Sequence, residues 1–310
     1  MKLESKIYIA GHNGLVGSAI KSKLINNGYN NIIVRTHNEL DLMNAEKVRE
    51  FFKKERPDYV FLAAAKVGGI LANSEYPVEF LYNNLQIQNN VIHSSWEFGV
   101  KKLLFLGSTC IYPRMCPQPM KESYLLTSEL EPTNEAYAIA KIAGLKLCES
   151  FNKQHGTNFV SVMPTNLYGI NDNFDLKSSH VLPALMVKII DAKKNNTDVE
   201  IWGDGSPIRE FLFVDDMAQA CVFIMETINS EDMPHSFVNI GSSEVVSIAE
   251  LAEIIKEVVG FKGDFIFGSD TLNGTPIKMT DTSVLSELGW ENSMKLKDGI
   301  EYIYKNRSWE

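Results

Sequence analysis

Lys6-Ile7-Tyr8-Ile9-Ala10-Gly11-His12-Asn13-Gly14-Leu15-Val16-Gly17 is the stretch whose reading decides the fold. Its first five residues read as a short, mostly apolar strand. Three glycines at GxxGxxG spacing follow at once. Val16, Ile20 and Leu24 then recur at helical spacing up to Gly28. A strand, a glycine-rich turn and a helix in that order let backbone N–H groups approach a pyrophosphate at the helix N-terminus, where the dipole favours anions. The stretch therefore predicts a dinucleotide site on Gly11, His12, Asn13, Gly14, Leu15, Val16 and Gly17, although its spacing departs from GxGxxG. The second strand, residues 32–34, ends at Arg35. NAD-preferring folds place an acidic residue there for the ribose 2′-hydroxyl, whereas an Arg suits a 2′-phosphate. NADPH/NADP+ is thus the expected cofactor, with His37 as a second contact. Asp41 or Asn44 is expected to cap the helix that follows Asp41-Leu42.

Working outward, residues 59–65 form a continuous apolar run, the pattern of a parallel strand buried on both faces. Residues 66–70 read as a loop at its end, 77–98 as a long helix closed by Gly99, and 103–106 as the next strand. A helix from Glu135 to about Gln154 and a strand over 159–163 continue the alternation. The expected fold class is α/β, a doubly wound parallel sheet of Rossmann type. After Gly169 the alternation loosens. Residues 171–179 read as a polar loop, 181–192 as a helix, 200–205 as a strand and turn, and 237–240 as a strand. Helices are read over 247–259 and 283–288, and Asp215 or Asp216 is read as a cap. Residues 1–169 are expected to form the NADP-binding domain, with part of 207–243 returning to it. Residues 170–310 are expected to form mainly a smaller C-terminal substrate-binding lobe.

The chain has 310 residues, 45% of them hydrophobic, enough for a large core. Its net charge of −9 argues against nucleic-acid and membrane-surface partners. No apolar run reaches the roughly 18 residues that would span a bilayer, and no signal-peptide pattern opens the chain. Cys110, Cys116, Cys148 and Cys221 lack metal-ligand spacing. A cytoplasmic protein with reduced thiols and no metal is expected.

Glu135-Ala136-Tyr137-Ala138-Ile139-Ala140-Lys141 lacks Pro and is rich in Ala, so it reads as helix, with Tyr137 and Lys141 on one face. A lysine ammonium near a phenol is expected to lower a pKa that starts near ~10 and to let Tyr137 protonate a carbonyl being reduced. Taken alone, Tyr and Lys four apart is a common surface pattern. Ser108 and Cys110, at the exit of the 103–106 strand just before this helix, strengthen it.

Together the glycine turn, the strand-end Ser and YxxxK resemble the extended short-chain dehydrogenase/reductases that act on nucleotide sugars. AAAKVGGI (63–70), LGSTCIYP (106–113), EPTNEAYAIAKIAG (131–144), MPTNLYG (163–169) and REFLFVDDMA (209–218) narrow the resemblance to the GDP-L-fucose synthase family, over nearly the whole chain. Thr109, His37 and Asp204 depart from the residues common there.

The resemblance implies NADPH-dependent 3,5-epimerisation of a GDP-4-keto-6-deoxymannose, followed by 4-keto reduction. It implies Ser108, Tyr137 and Lys141 as the reducing set and Cys110 and His180 as proton shuttles on opposite ring faces. Their reference pKa values of ~8.5 and ~6.5 suit that task. It implies further cofactor contacts from Asp41, Leu42, Ala64, Pro164, Thr165, Asn166, Leu167, Lys141 and His180. Lys188, Trp202, Arg209 and Asp281 are implied for the GDP-sugar, and a homodimer through the long helices that include the YxxxK helix. Alternatives are a relative making GDP-L-colitose or reducing a GDP-6-deoxy-heptose, or a non-catalytic NADP-binding sensor. Thr109-Cys110 argues against a 4,6-dehydratase, which would carry an acidic residue there.

Overall fold

The computed structural model describes residues 1–176, 178–268 and 275–309. β1 (Ile7–Ala10) enters the glycine turn and α1 (Leu15–Asn26), followed by β2 (Ile32–Ile33), α2 (Ala45–Glu55) and β3 (Tyr59–Leu62). Next come the short α3 (Ile70–Glu75), then α4 (Pro77–Glu97), β4 (Lys102–Leu106), α5 (Glu135–His155) and β5 (Phe159–Pro164). The second half holds β6 (Asn166–Tyr168), α6 (Val181–Asn195), β7 (Val199–Ile201), β8 (Ile208–Phe213), α7 (Val214–Thr227) and β9 (Phe237–Ile240). β10 (Val245–Ser247), α8 (Ile248–Val259), β11 (Phe265–Phe267), β12 (Ile277–Lys278), α9 (Ser283–Glu287) and α10 (Leu296–Asn306) complete it.

Six parallel strands form the main sheet in the order β2-β1-β3-β4-β5-β9. The strands are mostly apolar because both faces are covered. Ile7, Ile9, Leu104 and Leu106 pack under α1 and α7, while Tyr8, Val60, Leu103 and Phe105 pack under α2, α4 and α5. The chain reverses direction across the sheet between β1 and β3. Open α/β sheets bind ligands in the crevice at such a point, outside the carboxyl ends of the strands. β8 carries a second sheet, pairing with β10, β12 and β6. A third core forms among Tyr168, Ile189, Phe211, Leu251 and Ile300.

Several sequence expectations shift locally. Of the two caps expected for α2, the structure uses Asn44, which accepts from Lys47 N at 3.0 Å; Asp41 accepts from Met43 N at 2.9 Å in a turn of its own. Asp215 and Asp216 lie inside the first turn of α7 rather than capping it. Asp216 instead accepts from Ser293 N, Ser293 Oγ and Met294 N, tying α7 to the chain before α10. α3 and α10 escaped the sequence reading. α3 is a bare turn and a half of helix, too short for a periodic signal.

Candidate active site

The nucleotide end is built from backbone. Gly11 has φ +88°, and a Cβ there would lie 2.6 Å from Ala64 N, so only glycine lets the turn after β1 meet the exit of β3. A Cβ at Gly17 would lie 2.1 Å from Gly11 O, so α1 packs directly on its own turn. Gly14 caps α1 without a side chain, and no acidic residue stands in the first helical turn to compete with an anion. The residues present therefore fit a pyrophosphate at this helix N-terminus. His12 is buried in the turn, its Nδ1 without a partner among the described residues. Burial, then Lys21, hold its imidazole below the usual value, against Glu39.

Arg35 is already engaged. Nη2 pairs with Glu55 Oε1 at 2.8 Å, Nη1 donates to Val34 O at 2.8 Å, and the guanidinium lies 5.4 Å from the Phe51 ring centre. His37 is 80% exposed and 3.9 Å from Asp41.

At the exit of β4 the chain makes a single 3₁₀ turn, Thr109–Ile111, with Ser108 as its cap: Ser108 Oγ accepts from Cys110 N at 3.2 Å. α5 lies alongside and brings Tyr137 beside Ser108, close enough for the serine to temper the phenol's pKa. Tyr137 packs edge-on against Phe80 at 6.3 Å. Lys141 is buried, donating to Leu106 O at 2.7 Å, with Nζ 5.0 Å from the Phe105 ring centre and 5.7 Å from that of Tyr137. The electrostatics correct the sequence expectation for this pair. Burial pushes Lys141 down to about 7, so its charge is weakly held. The Tyr137 phenol is raised rather than lowered, by burial first and by Cys110 next, against the Ser108 hydroxyl.

His180 immediately precedes α6. Gly69 N reaches Ser178 O at 3.4 Å, and a Cβ on Gly69 would lie 3.1 Å from Ser179 O, so the 66–70 loop closes directly on this segment. His180 remains reachable by solvent, while the surrounding protein holds its imidazole below the usual value. Asn84 fixes the other side of the loop, accepting from Lys66 N at 2.8 Å and donating to Lys66 O at 3.0 Å.

Pro164–Leu167 runs from the end of β5 into β6. Thr165 N donates to Ile240 O at 3.0 Å and Asn166 Nδ2 to Glu210 O at 2.9 Å. Ala64 stands against Gly11, and Leu42 O accepts from Asn90. In the second half, Lys188 Nζ lies 4.7 Å from the Trp202 ring centre and donates to Glu200 O at 3.0 Å. Trp202 is 54% exposed, so it is no core residue. Arg209 is half-buried on β8 beside Lys278 of β12. Asp281 lies three residues beyond Lys278, and its carboxylate accepts from Ser283 N at 3.0 Å.

Two functional-looking residues went unread. Glu210 is fully buried and accepts from Ser242 N, Ser243 N and Thr280 N, fastening the strand of Arg209 to the segment of Asp281. Asn134 reaches Cys110 with Nδ2 at 3.6 Å from Sγ. A polar residue inside a buried strand and an Asn before a helix were the available signals.

A Rossmann-type sheet with a glycine turn at its switch point and a Ser-Tyr-Lys group beside it defines a nucleotide-dependent oxidoreductase or epimerase class. The chain belongs to the NAD dependent epimerase/dehydratase family, whose sequence model matches residues 7–241. It is 56% identical over 301 residues to GDP-L-fucose synthase 1 of Arabidopsis thaliana, covering 97% of this chain and 92% of that one. It is 49% identical over 309 residues to GDP-L-fucose synthase of Escherichia coli (strain K12), covering 97% and 96%. The structure of the GDP-mannoheptose C4 reductase of Campylobacter jejuni with NADP bound matches at TM-score 0.91 and 41% identity, covering 98% of each chain.

Proposed function

We propose that this chain converts GDP-4-dehydro-6-deoxy-D-mannose to GDP-L-fucose with NADPH, by 3,5-epimerisation and then 4-keto reduction. The observation that carries the reading is the convergence of Ser108, Cys110, Tyr137 and Lys141 at the exit of β4, in a chain 49% identical to the Escherichia coli GDP-L-fucose synthase.

The dinucleotide is held by the backbone of Gly11–Gly17, with Arg35, Asp41, Leu42, Ala64, Pro164–Leu167, Lys141 and His180 as further contacts. NADPH bound there supplies a hydride. The protein does the rest. A C4 ketone acidifies the flanking C3 and C5 protons, and the Ser108 hydroxyl and Tyr137 phenol donate to the enolate oxygen. Cys110 and His180 exchange protons with the two ring faces. Burial keeps the Tyr137 phenol protonated at neutral pH, which suits a group that must deliver its proton only when the C4 oxygen gains charge. Lys188, Trp202, Arg209 and Asp281 hold the GDP portion.

In this reading residues 1–169, with part of 207–243, bind NADP, and 170–310 mainly bind the sugar nucleotide. The protein acts in the cytoplasm as a homodimer through α4 and α5, where Val78, Tyr82 and Ile139 expose apolar surface. Among the described residues no helix is long and apolar enough to cross a membrane.

Incubation with the 4-keto substrate in D₂O without NADPH tests the reading. Deuterium is expected at C3 and C5, and addition of NADPH is expected to yield GDP-L-fucose. NADPH oxidation giving an un-inverted sugar, without exchange, would show a simple reductase of the GDP-heptose type instead.

A further inference from the structure

Asn134 stands at the N-cap of α5, the position where an Asn side chain ordinarily accepts a hydrogen bond from the first helical turn. It does not do so here. Among the described residues the side chain makes no cap hydrogen bond, and its Oδ1 is buried without a partner. The 3₁₀ turn before α5 is capped by Glu131 instead, and a buried acceptor left unsatisfied is unfavourable. What the amide has instead is Cys110, with Nδ2 3.6 Å from Sγ. The Cys110 backbone is held independently, by its N–H to Ser108 Oγ. Two short 3₁₀ turns, Thr109–Ile111 and Pro132–Asn134, are thus bridged by this side-chain hydrogen bond.

We propose that Asn134 is a positioning residue for Cys110: its amide donor fixes the rotamer of the sulfur and stabilises the anion formed whenever Cys110 gives up its proton. The inference rests on the proton-shuttle reading of Cys110. An amide N–H is a suitable donor because it gives a hydrogen bond to the anion without adding a second titrating group beside Tyr137. It also explains why the residue is Asn, since Asp and Ser cap helices equally well and neither carries that donor.

The two roles open to Asn134 predict opposite results for Asn134→Asp. As a cap, Asp would be at least as good, and the substitution would be harmless. As a positioning residue it would be worse than Asn134→Ala, because it sets a carboxylate beside the sulfur and disfavours the thiolate. Two readouts on the full chain decide. The first is the rate at which iodoacetamide alkylates Cys110, followed by peptide mass spectrometry without substrate. The second is deuterium wash-in at C3 and C5 without NADPH. Asn134→Asp is expected to keep or raise the melting temperature and to bind NADPH normally. It should slow both Cys110 alkylation and exchange roughly ten-fold or more, with Asn134→Ala intermediate. Wild-type alkylation and exchange in Asn134→Asp would overturn the proposal. If the wild type itself exchanges nothing, the proton-shuttle reading fails, and the alkylation rates alone then decide whether Asn134 holds the sulfur.

Discussion

Strand β4 has a buried lysine at each end, and the two are satisfied differently. At the entry, Lys102 Nζ donates to Ile224 O at 2.6 Å, to Met225 O at 3.1 Å and to Ile228 O. Its three donors close the carbonyl end of α7, where the helix dipole favours a cation. At the exit, Lys141 reaches only Leu106 O among the described residues, and otherwise faces the rings of Phe105 and Tyr137. Burial pushes Lys102 down to about 8 and Lys141 to about 7. A saturated lysine is part of the scaffold. A lysine with donors to spare, beside a phenol and at the carboxyl end of the sheet, has the unused bonding capacity that the proposed cofactor contact needs.

Exchanging the two roles is the sharpest way to break this comparison. Lys141→Met is expected to lower NADPH-dependent turnover on the order of a thousand-fold, while the urea midpoint holds or rises, since a poorly solvated charge is removed. Lys102→Met is expected to leave turnover near wild type and to lower stability by roughly 1–3 kcal/mol, because three buried carbonyls lose their partner. Equal activity losses in both variants, with stability unchanged, would mean that the number of acceptors says nothing about role.

The pH dependence of stability sharpens it further. A lysine with a lowered folded-state pKa binds its proton more weakly when folded than when unfolded. Its cost is therefore full below the folded pKa and relieved as pH rises toward the unfolded value of about 10.4. For Lys141 that relief begins near pH 7, and for Lys102 near pH 8. Between pH 7 and 9 wild type should gain stability relative to Lys141→Met, as read by urea unfolding. A gain of the same size in both would place the Lys141 titration elsewhere. The smallest effect concerns additivity. The two sites lie roughly 13 Å apart along the strand, so the stability change of the double variant should equal the sum within ~0.5 kcal/mol.

Legibility in the sequence differed in the same way along the chain. The nucleotide turn is contiguous, so strand, glycines and helix could be read in one pass, and Gly11 and Gly17 sit where close backbone approach demands them. The proposed sugar end draws Ser108 and Cys110 from the turn after β4, Tyr137 from α5, and His180 from the segment before α6. These are separated by up to 72 residues, from 108 to 180, and only motif resemblance joined them beforehand. Arg35 was read as a cation open to a phosphate, but Glu55, twenty residues on, pairs with it. A weaker hold on NADPH than on NADH in Arg35→Ala would show that the guanidinium still reads the 2′-phosphate beside that carboxylate.

The sequence by itself determined the parallel sheet, the dinucleotide turn and the Tyr-Lys spacing, because each depends on periodicity or on neighbours a few residues apart. Only the tertiary structure decided the charge states at the site and the company each residue keeps. Burial sets the Lys141 and Tyr137 pKa values against the direction expected from their pairing alone. It also turns Asn134 from a helix cap into a partner of Cys110. Desolvation and contacts between distant segments arise only when the chain has folded, so no local pattern encodes them.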